Sequence, residues 1–254
     1  MLKAGCRHPS DSRPIPPAPP ALFRYRDTRP ADRIVVHKQQ VGHQVLFRGN
    51  DQQRDAQIHR LQQSQIPAAQ QMLARAFLDY PAMVFANPDA ARRRRGVFTL
   101  YSAILRDSFP YGEVYTSEHV EGIAAWLPPG VDLPSLPREI RAGFVGLPFT
   151  FGWTAFWRLI AIDTCARRLH HKYVTEPHWF LATLGVDPAH QGQGIGSAVL
   201  QPVLNRADQE RTLCYLETHR PENVRLYERQ GFEVQELHQS AKLPPIWAML
   251  RKPR

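Results

Sequence analysis

The chain has 254 residues, 43% of them hydrophobic, and a net charge of +9. That length and apolar fraction are enough to bury one sizeable core or two small ones. Residues 1–55 carry ten Lys/Arg against five Asp/Glu, an excess of five that leaves only +4 on the other 199 residues. This is an ordinary soluble surface, not a strong nucleic-acid or anionic-membrane footprint. Cys6, Cys165 and Cys214 lie far apart without CxxC spacing, which excludes a disulfide frame or a cysteine zinc site and points to a reducing, cytoplasmic setting. The uncharged, aromatic-rich stretch Ala142 to Trp157 has 16 residues and contains Gly and Pro, short of the roughly 20 apolar residues a spanning helix needs.

Residues 1–30 hold seven prolines and show no periodicity, and such composition cannot offset the entropy of ordering. Residues 1–54 therefore read as a disordered extension, and 55–254 as the folded domain. Ile58 and Leu61 mark a short strand. Ser64 or Gln65 before Pro67 then starts a helix with Ala69, Met72, Leu73, Ala76 and Phe77 at helical spacing. A second helix takes Asn87 as cap and Pro88 as its first residue, with a buried stripe of Val97, Leu100, Tyr101, Ile104 and Leu105. The four arginines Arg92 to Arg95 read as its solvated face. A hairpin over 112–130 turns at Ser117–His119. The helical, aromatic segment 133–172 carries Phe144, Phe149, Phe151, Trp153, Phe156 and Trp157, either as core or as a wall around an apolar substrate.

The last third alternates cleanly. Residues 178–186 form a strand, 194–210 a helix, 213–218 a strand, and 223–230 a helix closed by Gly231. Phe232–Val234 and Ile246–Leu250 give two final strands. Alternation of this kind implies an α/β sheet. Pro202 falls inside the helix 194–210, where it should produce a kink or bulge.

"VDPAHQGQGIGSAVL" (186–200) carries the chemistry. Its glycines Gly192, Gly194 and Gly196 sit between a strand and a helix, where glycine lets backbone approach a pyrophosphate and the helix start offers free N–H groups. A Walker loop needs a lysine, and 173–241 contains none. Gly192-x-Gly194-x-x-Ser197, with Glu217 twenty residues on, approximates a dinucleotide fingerprint. Five residues separate Val186 from Gly192, however, and only 37 follow Glu217, too few to complete a doubly wound sheet.

Gln191-x-x-Gly194-x-Gly196 between strand and helix instead resembles the acetyl-CoA signature of the GNAT superfamily of N-acetyltransferases. "NVRLYERQGF" (223–232) resembles its second signature, and 176–234 as a whole is most similar to the branch containing puromycin-type acetyltransferases. The resemblance implies a mixed, mostly antiparallel α/β sheet with flanking helices and a splayed strand pair, and a helical acceptor-side insertion at 131–176. It implies acetyl-CoA as co-substrate, no metal, and a small-molecule amine as acceptor, with neither membrane nor nucleic-acid partner, in a monomer or homodimer. The backbone of Leu184, Gly185 and Val186 would hold the pantetheine arm. Gln191, Gly192, Gln193, Gly194, Ile195, Gly196 and Ser197 would cradle the phosphates, with Asn223 near the arm. Tyr227 would be the general acid and Glu217 a candidate base. Cys214, inside a strand, reads as a buried hydrophobe rather than a nucleophile. His170, His171 and His178 lack a tight metal-ligand spacing. The rival reading is a non-catalytic acyl-CoA-binding regulatory module, with 1–54 contacting nucleic acid.

Overall fold

A computed structural model describes residues 57–131 and 133–254, so the 1–54 boundary lies outside the described residues. Strand β1 (Ile58–Arg60) leads into helix α1 (Ile66–Phe77), which buries Ala69, Met72, Leu73 and Phe77 as the spacing requires. A short helix α2 (Pro81–Ala86) follows that the sequence reading missed; six residues are too few to show a helical period. Asn87 closes α2, and the cap of the next helix is Asp89, not Asn87. The Asp89 carboxylate accepts from the N–H of Arg92 at 2.8 Å, and helix α3 runs Ala90–Tyr111. Asn87 Oδ1 accepts from the Asp89 N–H at 3.0 Å, so it shapes the turn ahead of the true cap.

One member of the arginine run departs from the expected solvated face. Arg93 is 7% exposed, and its guanidinium donates to the carbonyls of Leu78, Asn87 and Pro88 and to Asp79. Its many donors satisfy the carbonyls where α1, α2 and α3 meet.

The hairpin appears as β2 (Glu113–Ser117) and β3 (Gly122–Leu127), followed by α4 (Leu136–Ala142), α5 (Leu147–Phe151) and α6 (Trp153–Tyr173). Then come β4 (His178–Val186), α7 (Ile195–Gln209), β5 (Leu213–Thr218) and α8 (Pro221–Arg229), ending in β6 (Glu233–Ser240) and β7 (Leu243–Arg251). α7 is unbroken through Pro202: Val199, Leu200, Val203 and Leu204 are all buried on the sheet, and that packing outweighs one missing N–H. The last two strands run longer than expected. Pro244 and Pro245 fall near a register shift between β6 and β7, where a missing N–H disturbs the ladder least.

The seven strands among the described residues form one sheet of order β1-β2-β3-β4-β5-β7-β6. Every pair is antiparallel except β4 with β5, which needs the α7 crossover to lie parallel. α7 and α8 pack on one face through Ile195, Val199, Val203, Val224 and Tyr227. α1 and α3 cover the other face beside β3, and α6 covers it beside β5 and β7 through Leu169. No helix among the described residues is long and apolar enough to cross a membrane.

Candidate active site

β4 and β5 pair over only three residues, His178–Phe180 with Leu213–Tyr215. Beyond that β5 continues to Thr218 bonded to β7, while Leu184, Gly185 and Val186 of β4 pair with β3 alone. The two strands therefore part, and the outer edge of Leu184–Val186 has no β5 ladder partner. Such an edge can hold an extended chain as an added strand would.

The glycine loop lies at the end of β4. Gly192 and Gly194 have φ of +78° and +81°, a region where other residues are strained. A Cβ at either would meet nothing within 4 Å, so the loop is an open concavity. Gly194 precedes α7 without any side chain capping it, which leaves the first N–H groups and the positive dipole end to an outside anion. Gln191, though exposed, donates its amide to the Val186 carbonyl at 3.2 Å, so it ties the loop to the strand. Ile195 and Gly196 are buried at the helix start, while Gln193 is exposed and Ser197 partly so. Gly122, which sequence reading passed over, supports this end: a Cβ there would lie 2.4 Å from Ile195 Cγ2. Asp187 accepts from Arg75 at 2.9 Å and from the Ala189 N–H at 3.1 Å, pinning the loop to α1.

A cavity of about 440 Å³ reaches the gap between β4 and β5. Leu184, Glu217, Asn223 and Tyr227 all line it, as do α3 and α6 residues from the other layer, so it passes through the splay. Burial pushes the Glu217 carboxyl up to about 8; the nearby Asp163 adds to the rise, and Tyr215 and Arg167 oppose it. The Tyr215 hydroxyl is buried without a well-formed hydrogen bond. Burial also raises Tyr227, which keeps its phenol protonated, and its hydroxyl makes no hydrogen bond among the described residues. Asn223, one turn earlier, donates to Thr218 Oγ1 at 3.2 Å. That hydroxyl is also 3.2 Å from Tyr80 Oη, which accepts from the His219 N–H at 2.7 Å. Asn223 thus braces the end of β5.

His219 is a site residue that sequence reading missed. It lies one residue past the end of β5, close to Glu217 in sequence, and it lines the cavity. Its Nδ1 is 3.0 Å from the Pro245 carbonyl; a carbonyl only accepts, so Nδ1 carries the proton and Nε2 is the basic nitrogen. Burial holds its pKa below the usual value. Of the three histidines close in sequence, His170 and His178 hydrogen-bond to each other. His178 Nδ1 donates to the Glu176 carbonyl at 2.7 Å, which makes its Nε2 the acceptor from His170 Nε2, also at 2.7 Å. Burial, the largest cause, together with His178 lowers His170 to about 3. Cys214 is fully buried, and its thiol is pushed up to about 12, as a core residue's would be. Among the described residues no group of three or more His, Cys, Asp or Glu is gathered as metal ligands would be.

The aromatic segment divides. Phe151 is core, Phe144 and Phe156 line the cavity, and Phe149, Trp153 and Trp157 stand exposed at its margin.

Comparison with known proteins agrees with this geometry. Residues 142–232 match the acetyltransferase (GNAT) family. The chain is 26% identical over 192 residues to an uncharacterized N-acetyltransferase of Schizosaccharomyces pombe, covering 71% of this chain and 77% of that one. Among solved structures, a Corynebacterium glutamicum protein described as histone acetyltransferase HPA2 and related acetyltransferase shares the fold at a TM-score of 0.52 and 20% identity. That match covers 78% of this chain and 96% of the other. Mosquito arylalkylamine N-acetyltransferase like 5b matches at 0.50 and 13% identity, over 77% and 98%.

Proposed function

We infer that this chain is an N-acetyltransferase of the GNAT superfamily that moves an acetyl group from acetyl-CoA directly to the amine of a small molecule. The observation that carries the reading is the cavity through the splay, lined at once by Glu217, Tyr227 and the free-edged end of β4. A cavity of about 440 Å³ suits a small acceptor, and the resemblance of 176–234 to puromycin-type acetyltransferases points the same way.

Acetyl-CoA, when bound, supplies the acetyl thioester. Gly192–Ser197 hold its pyrophosphate through backbone N–H groups and the start of α7. The free edge of Leu184–Val186 aligns its arm, and a backbone N–H there polarises the carbonyl. Glu217 takes one proton from the acceptor ammonium and frees the nitrogen lone pair. A carboxyl titrating near 8 exchanges a proton with an amine at little cost. As the N–C bond forms and the S–C bond breaks, Tyr227 gives its proton to the departing sulfur and regains one from the nitrogen. One proton is released overall. No residue of the chain needs to carry the acetyl group, since proximity replaces a covalent step.

The test is release of free thiol from acetyl-CoA across a panel of primary amines, with the products weighed by mass spectrometry. Acetyl-CoA-dependent formation of an acetylated product, lost with Tyr227→Phe, is the expected result. Binding of acetyl-CoA with no acetylated product from any amine would favour a non-catalytic module.

A further inference from the structure

The apolar part of the cavity does not end at the reacting groups. From the splay it extends beneath α4, α5 and α6, past Leu100, Ile104, Phe144, Leu147 and Leu159. It then reaches Leu136, Ile140 and Val145, which line it and are also largely exposed, at 69%, 52% and 55%. A hydrocarbon wall thus runs from Glu217 to the surface. Phe156, inside the cavity, makes edge contacts with Trp153 at 6.3 Å and Trp157 at 5.4 Å, and these two are 60% and 62% exposed. Apolar side chains left open to water in this number mark a surface meant to be covered.

Each carboxylate along the wall is held by an arginine, except at its inner end. Asp107 is held by Arg138 through two bonds of 3.0 and 2.8 Å. Glu139 and Asp163 share Arg167, at 3.2 and 2.7 Å. Glu217 is the cavity carboxylate with no ion pair among the described residues. A cationic acceptor therefore finds one carboxyl without an ion pair at the splay and a mostly hydrocarbon lining beyond it. A polyamine or amino sugar would bury its remaining polar groups against a mostly apolar lining whose carboxylates are already held by arginines, which is costly.

We propose that the acceptor is a primary amine borne on a large apolar body, its ammonium at Glu217 and its body along the wall from Ile104 to Ile140. This rests on the transferase reading of the same cavity and specifies the substrate class.

The test uses the full chain with acetyl-CoA and measures kcat/KM by thiol release for ethylamine, butylamine, hexylamine, octylamine, 2-phenylethylamine, spermidine and glucosamine. Each methylene buried should raise kcat/KM about fourfold, so hexylamine should exceed butylamine by about tenfold or more, and spermidine and glucosamine should trail. Ile140→Asp and Leu136→Asp, at exposed positions, should lower kcat/KM for octylamine at least tenfold, and by a larger factor than for ethylamine, which is too short to reach them. A flat alkyl series, or preference for spermidine or glucosamine, would overturn the apolar acceptor and leave the transferase standing. Failure to bind acetyl-CoA or to acetylate any amine would overturn both.

Discussion

Glu217→Gln separates the carboxyl's role from its shape. Burial keeps a proton on Glu217 up to about pH 8, whereas the unfolded chain releases it near the ordinary value of roughly 4.3. Between those limits the folded state binds more protons than the unfolded one. Stability therefore falls as pH rises through the window and levels off above about 8. At about 1.36 kcal/mol for each tenfold change in proton affinity, the loss comes to a few kcal/mol, reduced by water that enters the cavity. For a domain of this size that is on the order of 5–10 °C in Tm. The glutamine variant has no proton to lose there, so scanning calorimetry should find its advantage over wild type growing from pH 5 to pH 9. On the proposed mechanism the same group should set the activity profile. About a tenth of Glu217 is ionised at pH 7 and about nine-tenths at pH 9. The ratio of wild-type kcat to that of Glu217→Gln, in which the amine's own ionisation cancels, should thus climb roughly tenfold. At pH 9 that ratio should reach about 10²–10⁴. Parallel Tm curves together with equal kcat would mean a solvated, uninvolved carboxylate; the base would then have to be sought at His219 Nε2.

Tyr227→Phe keeps the ring and its packing on Phe232, so Tm and acetyl-CoA Kd should hold while kcat falls, by at most about 10²–10⁴; unchanged kcat would leave protonation to water. Gly122→Ala drives a methyl into Ile195 at the start of α7, and should cost about 1–3 kcal/mol in urea unfolding and weaken acetyl-CoA in calorimetry. An unchanged affinity would detach the loop from β3. Arg251 is buried and bonds both oxygens of Asp208 at 2.8 and 2.7 Å. Arg251→Leu should cost about 3 kcal/mol in the same unfolding assay, and a loss under about 1 kcal/mol would show that the pair contributes little to stability.

The elements legible in the sequence were those whose pattern is local. β4 (His178–Val186) and β5 (Leu213–Thr218) lie at the expected residues, because bounded apolar runs and flanking turn residues define a strand without help from the rest of the chain. The glycine loop was legible for a similar reason: its demand for positive φ is written in residue type. What escaped depends on contacts remote in sequence. Nothing near Arg93 shows that three carbonyls and Asp79 will converge on it. His219 becomes a candidate base only because Pro245, on another strand, takes its Nδ1 proton in a hydrogen bond. Pro202 was overweighted, since its local penalty is small beside the buried stripe that holds α7. The aromatics of 144–157 needed the fold to divide them, since composition alone cannot tell a core ring from a cavity wall.

The central claim is that the left-handed glycine loop at the start of α7 holds the acetyl donor. Titration calorimetry of acetyl-CoA into wild type and Gly194→Glu tests it most directly, with Tm confirming that the variant folds. The backbone at Gly194 has φ +81°, where a side chain costs about 1–2 kcal/mol. It would project into open space, so the fold should survive. Its carboxylate would meet the pyrophosphate, and acetyl-CoA affinity should fall at least a hundredfold. A folded Gly194→Glu protein that binds acetyl-CoA as tightly as wild type would contradict the account.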